Sequence, residues 1–576
     1  MTTRLHWMVA VMAVSLSGAD SVSAKEEPIF PGLGHYQRKI TTESPKAQRY
    51  FKQGLAFYQG FNLGEAIRSF QEAVRLDPKC AMAHYGIALA CGPHINLPLV
   101  PPPAAELAWQ ELKLAQENAE HASPVERDLI EALSHRYANP QPEDRAPLDL
   151  AYADAMRKVW QNHPNDPDVG AFFAEAMMDL RPWNQWTPEG QANPGTGEIL
   201  ATLESVLQLS PKHPFANHLF IHATEASPHP ERATVAADRL RSLQPGLAHN
   251  VHMPSHIDIR CGRWQEAVET NIKAVEADRR YRKIAGPPKG FISVYVAHNQ
   301  HMLAYAAMMT GQRALALKHI RAMVAELPAD FLKENALQAE GFVSRPLEVM
   351  VRFGMWDEIL AEPNQYPEYM TGTRAFHHAA RAIAYAAKGE PGKAREEQKI
   401  FLEKAKLVPE EETFGNNTAQ DLLALTKHMT EGEILIRENK LEEGIAELRE
   451  AIQLEDALKY DEPPGWLIPI RHSLGATLMQ HGRFAEAEQV YRDDLARLPD
   501  NGWSLYGLAE SLSMQKEKPK EANALRTRFK KVWAEADTKI TSSCLCQPGK
   551  VAIQQAMVPL GVEFIISSGV RSRDAE

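Results

Sequence analysis

Residues 47–80 read AQRYFKQGLAFYQGFNLGEAIRSFQEAVRLDPKC, and this stretch decides the fold. Its small and aromatic residues stand at helical spacing: Gly54, Phe57, Ala66, Phe70, Ala73 and Pro78. Small residues where two antiparallel helices cross let the backbones approach, aromatic rings fill the space beside them, and the proline ends the second helix. The stretch therefore predicts a helix hairpin whose apolar face has to be covered by a further hairpin.

These spacings resemble the tetratricopeptide repeat (TPR), which is about 34 residues long. The pattern returns along the chain in units marked by Ala233 and Pro245, Gly262 with Ala267, Gly311 with Ala316 and Pro328, Gly354, Gly389 with Ala394, and Gly482 with Ala487 and Pro499. The sequence therefore predicts an all-α TPR superhelical solenoid of antiparallel helix pairs with loop insertions.

The repeat pattern also sets the expected domains. We expect a signal peptide over 1–24, an N-terminal extension over 25–46, an N-terminal TPR solenoid over 47–280, a C-terminal TPR solenoid over 281–540 and a C-terminal tail over 541–576. Insertions near 93–103 and 181–194 break the repeat and carry Asn96, Trp183, Asn184 and Trp186. Such residues indicate that the insertions bind a ligand as well as connect helices. The alternative is that they are solvated linkers with incidental aromatic residues.

The N-terminus has the form of a secretory signal peptide, with Arg4, an apolar stretch from Trp7 to Leu16 and small residues ending in Ala24. A buried first helix is the alternative. No later segment reaches 18 uninterrupted apolar residues, so we expect no membrane span and a periplasmic or secreted protein.

Composition limits the class of partner. Of the 576 residues, 44% are hydrophobic and 24% are charged, with a formal net charge of −11 and no basic stripe. Nucleic acid is therefore excluded as a partner on charge. Five cysteines are too few for a disulfide framework, and Cys544 and Cys546 are predicted to form a disulfide, share a soft metal or remain unpaired in a loop.

The 22 histidines include several at helical spacing. His218, His222 and Glu225 lie on one helical face, and so do His249, His252 and His256, with His298 and His301 following. The string from His249 to Met253 (HNVHM) recurs from His298 to Met302 (HNQHM), which marks the two as equivalent positions of different repeats.

Resemblance to the TPR implies that these first-helix positions line a concave groove. Neighbouring helices pack about 8–10 Å apart, so imidazoles of two helices can share one ion. We therefore predict a transition metal, zinc, copper or iron, bound by His218, His222, Glu225, His249, His252, His256, His298 and His301. Pro254 interrupts this pattern, because a proline inside the helix would break it and place His249 and His252 on a preceding turn.

Two further sets of residues are candidates. His84, Cys91 and His94 form a second, weaker cluster, for which core packing is the alternative. A ligand of the groove, a peptide, protein or small molecule, is predicted to contact Arg260, Arg345, Glu348, Arg471 and His472, where arginine suits an anionic group.

No hydrolase motif is present, neither H-E-x-x-H nor G-x-S-x-G nor a glycine-rich phosphate loop. The strings from His252 to Ile257, Ala226 to Arg232 and Asn501 to Leu505 resemble those of a group of bacterial exported TPR proteins, which implies a fold and a compartment but no reaction. Two hypotheses follow. The chain is an exported metal-binding TPR protein, which would be an enzyme if the ion activates water or dioxygen, or it is a non-catalytic scaffold for a peptide or protein.

Overall fold

The computed structural model describes residues 26–547, which fold into α-helices joined by turns and loops. The predicted signal peptide, 1–24, lies outside the described residues, as do tail residues 548–576. Within residues 26–547 no helix is both long and apolar enough to cross a membrane. The predicted all-α solenoid of packed helix pairs is confirmed.

The helices that precede residue 290 form the first half of the molecule. They are α1 (Pro45–Gln59), α2 (Leu63–Leu76), α3 (Ala81–Ala90), α4 (Pro102–Glu117), α5 (Pro124–Ser134), α6 (Ala146–Asn162), α7 (Pro167–Asp179), α8 (Thr196–Leu209), α9 (Pro214–Glu225), α10 (Thr234–Leu243), α11 (Ala248–His252), α12 (Pro254–Arg260) and α13 (Trp264–Ala285). Short 3₁₀ helices span Ala119–His121 and Pro230–Ala233.

The second half continues in the same way. Its helices are α14 (Ile292–Met309), α15 (Arg313–Glu326), α16 (Ala329–Glu334), α17 (Ala336–Ala339), α18 (Gly341–Arg352), α19 (Trp356–Ala361), α20 (Thr371–Ala387), α21 (Pro391–Ala405), α22 (Ala419–Arg437), α23 (Leu441–Ala457), α24 (Ile470–Gln480), α25 (Phe484–Arg497), α26 (Gly502–Gln515) and α27 (Pro519–Val532). Strands β1 (Thr413–Phe414) and β2 (Asn417–Thr418) pair antiparallel between α21 and α22.

Helices adjacent along the chain pack on each other, for example α1 on α2, α14 on α15 and α22 on α23. One hydrophobic core extends from Phe30 to Tyr295 and a second from Ile259 to Leu525, so the two cores overlap in sequence between α12 and α14. The segments 93–103 and 181–194 lie mainly in the loops before α4 and α8, as their sequences indicate.

The solenoid curls tightly enough for distant repeats to touch. The Gln59 carbonyl at the end of α1 accepts a hydrogen bond from His218 on α9. In the second half the Trp503 indole donates to the Met308 carbonyl at 2.8 Å, and the Trp264 indole donates to the Pro499 carbonyl at 2.7 Å. Faces that would line an open groove are therefore buried between repeats.

The end of the described chain also packs into the fold. Cys544 and Cys546 form a disulfide whose sulfur atoms lie beside Ser473 of α24. The Arg352 guanidinium donates to the Ser543 carbonyl at 2.5 Å. Of the three alternatives predicted for these cysteines, the structure has the disulfide.

The first repeat offers a test of the packing. The Phe70 ring of α2 fills the space between Gly54 of α1 and Gly86 of α3, and a Cβ added at Gly86 would lie 2.8 Å from the Phe70 ring. We expect Gly86→Ala to lower the free energy of unfolding by about 1–3 kcal/mol, because overpacking forces the ring or backbone to shift. Gly197→Ala on α8 is the control, since its Cβ meets nothing within 4 Å. Equal stability of the two variants in denaturant unfolding would contradict the packing.

Candidate metal centre

Seven of the predicted ligands meet where the two cores adjoin. They are His218, His222 and Glu225 on α9, His249 and His252 on α11, His256 on α12, and His298 on α14. All are buried except His298, which is partly exposed. The prediction of histidines on an open concave groove is wrong here, because contacts between distant repeats close over the inner helix faces.

His218 and His222 direct one ring nitrogen at each other. The Nδ1–H of His218 donates to the Gln59 carbonyl at 2.8 Å, and the Nδ1–H of His222 donates to Glu225 Oε1 at 2.8 Å. Because both partners only accept, the proton of each neutral ring stands on Nδ1. The two Nε2 atoms lie 3.1 Å apart, so two lone pairs face one another. Such a pair of atoms needs a cation or a proton between them.

His252 and His256 repeat this arrangement one helix further. The Nδ1–H of His252 donates to Asn271 Oδ1 at 2.6 Å, and the Nδ1–H of His256 donates to Glu225 Oε2 at 2.5 Å. Their Nε2 atoms lie 2.7 Å apart, and His298 Nε2 lies 3.5 Å from His256 Nε2.

His249 differs from these four histidines in its hydrogen bonding. Within residues 26–547 neither ring nitrogen of His249 has a hydrogen-bond partner, although the residue is 5% exposed. A buried polar group without a partner costs about 1–3 kcal/mol, so its retention calls for a ligand. One nitrogen of His249 lies within 4.8 Å of ligand atoms of both His218 and His222.

Glu225 contacts two histidines. Its two oxygens accept from Nδ1 of His222 and Nδ1 of His256, which fixes both rings and leaves both Nε2 atoms free. This is the arrangement in which a carboxylate orients metal-binding imidazoles from behind. A Glu225 oxygen also lies within 4.8 Å of ligand atoms of both histidines, so its role as a ligand stays a prediction beside this orienting role.

Burial sets the protonation of the rings. Burial, followed by the neighbouring imidazoles, holds the pKa of His249 and His298 well below the ordinary value, and the pKa of His218 is lowered by burial and by His222. His256 is different: burial opposes its charge, but Glu462 and Glu225 outweigh burial and raise its pKa to about 10. His256 therefore favours its charged form more than the other rings do.

Pro254 begins α12 and ends the short helix α11 at His252, as the sequence indicates. His249 and His252 therefore lie on the preceding turn. His252 and His256 stay close together despite this break, because only Met253 stands between α11 and α12.

The insertion loops reach the cluster. The Trp183 indole donates to Asn96 Oδ1 at 3.1 Å, and the Asn96 amide donates to the Tyr295 hydroxyl at 3.1 Å. The Trp183 ring centroid lies 5.5 Å from that of His222, and the Tyr295 centroid lies 4.3 Å from that of His249. These loops therefore form one side of the histidine cluster in addition to connecting helices.

Two further residues belong to the site. The ring centroid of Phe61, in the turn after α1, lies 4.6 Å from that of His218 and 5.7 Å from that of His249, and its sequence position does not indicate this contact. Glu462, in the loop between α23 and α24, places Oε2 2.8 Å from His256 Nδ1. The segment from Asp461 to Trp466 could be expected from sequence to serve the groove, but no pattern in it relates Glu462 to a helix two hundred residues earlier.

Other predicted site residues lie outside the cluster. His301 lies one turn beyond His298, with its ring 5.9 Å from that of Phe342. The secondary cluster is not formed as one site, because His84 contacts Glu111 and the Pro78 carbonyl, whereas the His94 ring stacks on Phe61 at 4.4 Å. Cys91 is buried, and burial raises the pKa of its thiol to about 12.

The predicted ligand-binding residues contact the protein itself. Arg260 donates to the carbonyls of Glu225 and Ser227, which holds the end of α9. Arg345 donates to Glu348 Oε1 and the Gly465 carbonyl, and Glu348 Oε2 accepts from the Leu467 amide.

The last two of these residues hold the C-terminal helices together. Arg471 pairs with Asp456 at 2.6 Å, and His472 lies between Arg352 and Asp494. All five predicted ligand-binding residues therefore have structural partners, and four of them lie away from the histidine cluster.

Comparison with known proteins supports the fold of the first repeat. The tetratricopeptide repeat family model matches residues 47–80. This chain contains a tetratricopeptide repeat. The match covers the hairpin of α1 and α2. No curated protein sequence matches the chain.

Solved structures of other helical proteins give weak likenesses. The human IFIT1 dimer with m7Gppp-AAAA is 13% identical with a TM-score of 0.32, covering 86% of this chain and 92% of that one. The APC/C hetero-tetramer Cut9-Hcn1 is 11% identical with a TM-score of 0.29, covering 87% and 76%. The TPR domain of P58(IPK) is 12% identical with a TM-score of 0.19, covering 82% and 99%. At these scores we derive no function from them.

Proposed function

We propose that this chain is an exported TPR protein that binds a transition metal at the buried histidine cluster. One observation supports the proposal above the others. Four imidazoles donate from Nδ1 to protein acceptors and turn their Nε2 atoms toward one another in pairs, at 3.1 and 2.7 Å. Neutral imidazole nitrogen is a ligand of zinc, copper, iron and nickel, and an oxygen that accepts from Nδ1–H fixes the tautomer that such ligation needs.

Burial strengthens the proposal. His218 and His252 are fully buried, and His249 is buried with both nitrogens unpaired among the described residues. A passive interior would favour apolar side chains at these positions, because buried polar groups without partners destabilise the fold. An ion supplies the missing partner for several rings at once.

Metal content of protein purified without an affinity tag tests this function. We expect a near-stoichiometric transition metal in the wild-type protein and its loss from the double variant His222→Ala, His252→Ala, because one ring of each Nε2 pair is removed. Elemental analysis of both proteins gives the result, with circular dichroism to check helix content. Background metal in the folded wild-type protein would contradict the proposal and favour a peptide-binding scaffold.

Export is the second part of the proposal. It rests on the form of residues 1–24, with an apolar stretch that ends in small residues. A mature chain that begins at Lys25, recovered from the periplasm or medium, is the expected result. An intact Met1 on cytoplasmic protein would contradict it.

A further inference from the structure

We infer that the histidine cluster is built for two adjacent metal ions, one on His218, His222 and His249 and the other on His252, His256 and His298, and that the pair takes a small oxygen-donor ligand such as hydroxide. The inference rests on the proposed metal-binding function and goes beyond it in the number of ions, their separate ligand sets and the class of ligand.

The histidines divide into two triads. The ligand atoms of His218, His222 and His249 lie within 4.8 Å of one another, and so do those of His252, His256 and His298. No histidine belongs to both triads. A neutral ring has one nitrogen lone pair, directed away from the ring in its plane. Each Nε2 atom can therefore bind one ion, and the two Nε2 pairs would bind separate ions.

The separations suit ions at ordinary bond lengths. We consider an ion about 2.0–2.1 Å from each nitrogen, as for zinc and imidazole. The angle at the ion between the two nitrogens would be about 98° for His218 and His222 and about 82° for His252 and His256. The 3.5 Å between His256 and His298 corresponds to about 117°. These angles lie around the values of tetrahedral and octahedral coordination.

The two triads are linked side by side. The ring centroids of His222 and His256 lie 5.7 Å apart, and those of His249 and His252 lie 6.0 Å apart. Glu225 binds Nδ1 of one ring from each triad. Two cations so close are favoured by buried negative charge, which Glu225 and Glu462 provide behind the rings.

Three protein ligands leave coordination positions open for an exogenous ligand. The ligand has to be small, because five of the six histidines are between 0 and 5% exposed. His298 is the only one of the six histidines that is partly exposed. Hydroxide has the size and the oxygen donor to bridge two ions.

Copper(II) is a suitable probe, because nitrogen sites bind it most tightly among divalent first-row metals. We expect equilibrium dialysis of metal-free wild-type protein to give two equivalents per chain. His249→Ala and His298→Ala should each retain one, and the double variant none. These two histidines are chosen because, within residues 26–547, His249 has no hydrogen-bond partner and His298 has only His256 of the cluster as a hydrogen-bond partner. His84→Ala, outside the cluster, should still bind two.

The outcomes separate the inference from the function on which it rests. No binding by folded wild-type protein would overturn both. One equivalent would leave the metal-binding function standing and overturn the paired site. A single-histidine variant that loses both ions or neither would overturn the division into triads.

Electron paramagnetic resonance tests the bridging ligand on the same samples. Two bridged copper(II) ions couple, so the wild-type protein should show far less than two spins per chain. Each single-triad variant should show close to one full spin. Two full spins in the wild-type protein would overturn the shared ligand.

Discussion

Replacing Glu225 with alanine is expected to lower the affinity of the cluster for metal by about 10–100-fold, mainly at His218, His222 and His249, because losing a hydrogen-bond partner of a metal ligand has an effect of this size. The reason is geometric. Glu225 accepts from Nδ1 of His222 and of His256, and Glu462 Oε2 also lies 2.8 Å from His256 Nδ1. Loss of Glu225 therefore frees His222, leaves His256 with Glu462 and removes a buried carboxylate that balances the ions. Isothermal titration with copper(II) or zinc(II) measures the affinities.

Glu433→Ala is the matched control, because Glu433 is as deeply buried as Glu225 and its Oε2 accepts from the Gln547 amide, away from the histidines. Its metal affinity should equal that of the wild-type protein. Glu225→Gln refines the test. The glutamine amide oxygen can still accept from one Nδ1–H, but its NH₂ group would face the other Nδ1–H, donor to donor. Wild-type affinity in both Glu225 variants would contradict the positioning role.

Removal of metal is expected to destabilise the centre of the molecule. A ligand present at about a thousand times its dissociation constant stabilises the folded state by about 4 kcal/mol per site. Chelation should therefore accelerate amide hydrogen exchange in α9, α11, α12 and α14, and readdition of metal should restore protection. The short helices α11 and α12 should respond most, since each has few hydrogen-bonded turns of its own.

The double variant His249→Ala, His298→Ala is the control for chelation. It has incomplete triads, so exchange in the same helices should not change when the chelator is added. A wild-type protein that is indifferent to the chelator, after its metal content has been shown to fall, would contradict a stabilising role for the ions.

The helical repeats could be predicted from sequence because they depend on local spacing. Gly54, Ala66 and Phe70 specify one hairpin, and the same pattern recurs along the chain. Pro254 likewise marks the boundary between α11 and α12 through its missing N–H. The histidine set could be found because i, i+3 and i, i+4 spacing depends on the helix alone.

Features that depend on long-range contacts could not be predicted. How tightly the solenoid curls decides whether His249 faces solvent or the interior, and that curvature is set by contacts such as Trp503 with Met308. The role of Glu225 also required the structure, since a carboxylate one turn from a histidine suits a ligand and an orienting group equally. Glu462 reaches His256 only through the packing of the loop after α23.

Anomalous diffraction from crystals of the untagged protein tests the central claim, metal binding by the histidine cluster, most directly. We expect peaks at a metal absorption edge within about 2.0–2.2 Å of Nε2 atoms in the two triads. We also expect Nδ1 of His222 and His256 to remain bonded to Glu225. Crystals grown with metal that show no anomalous peak among these histidines would contradict metal binding by the cluster.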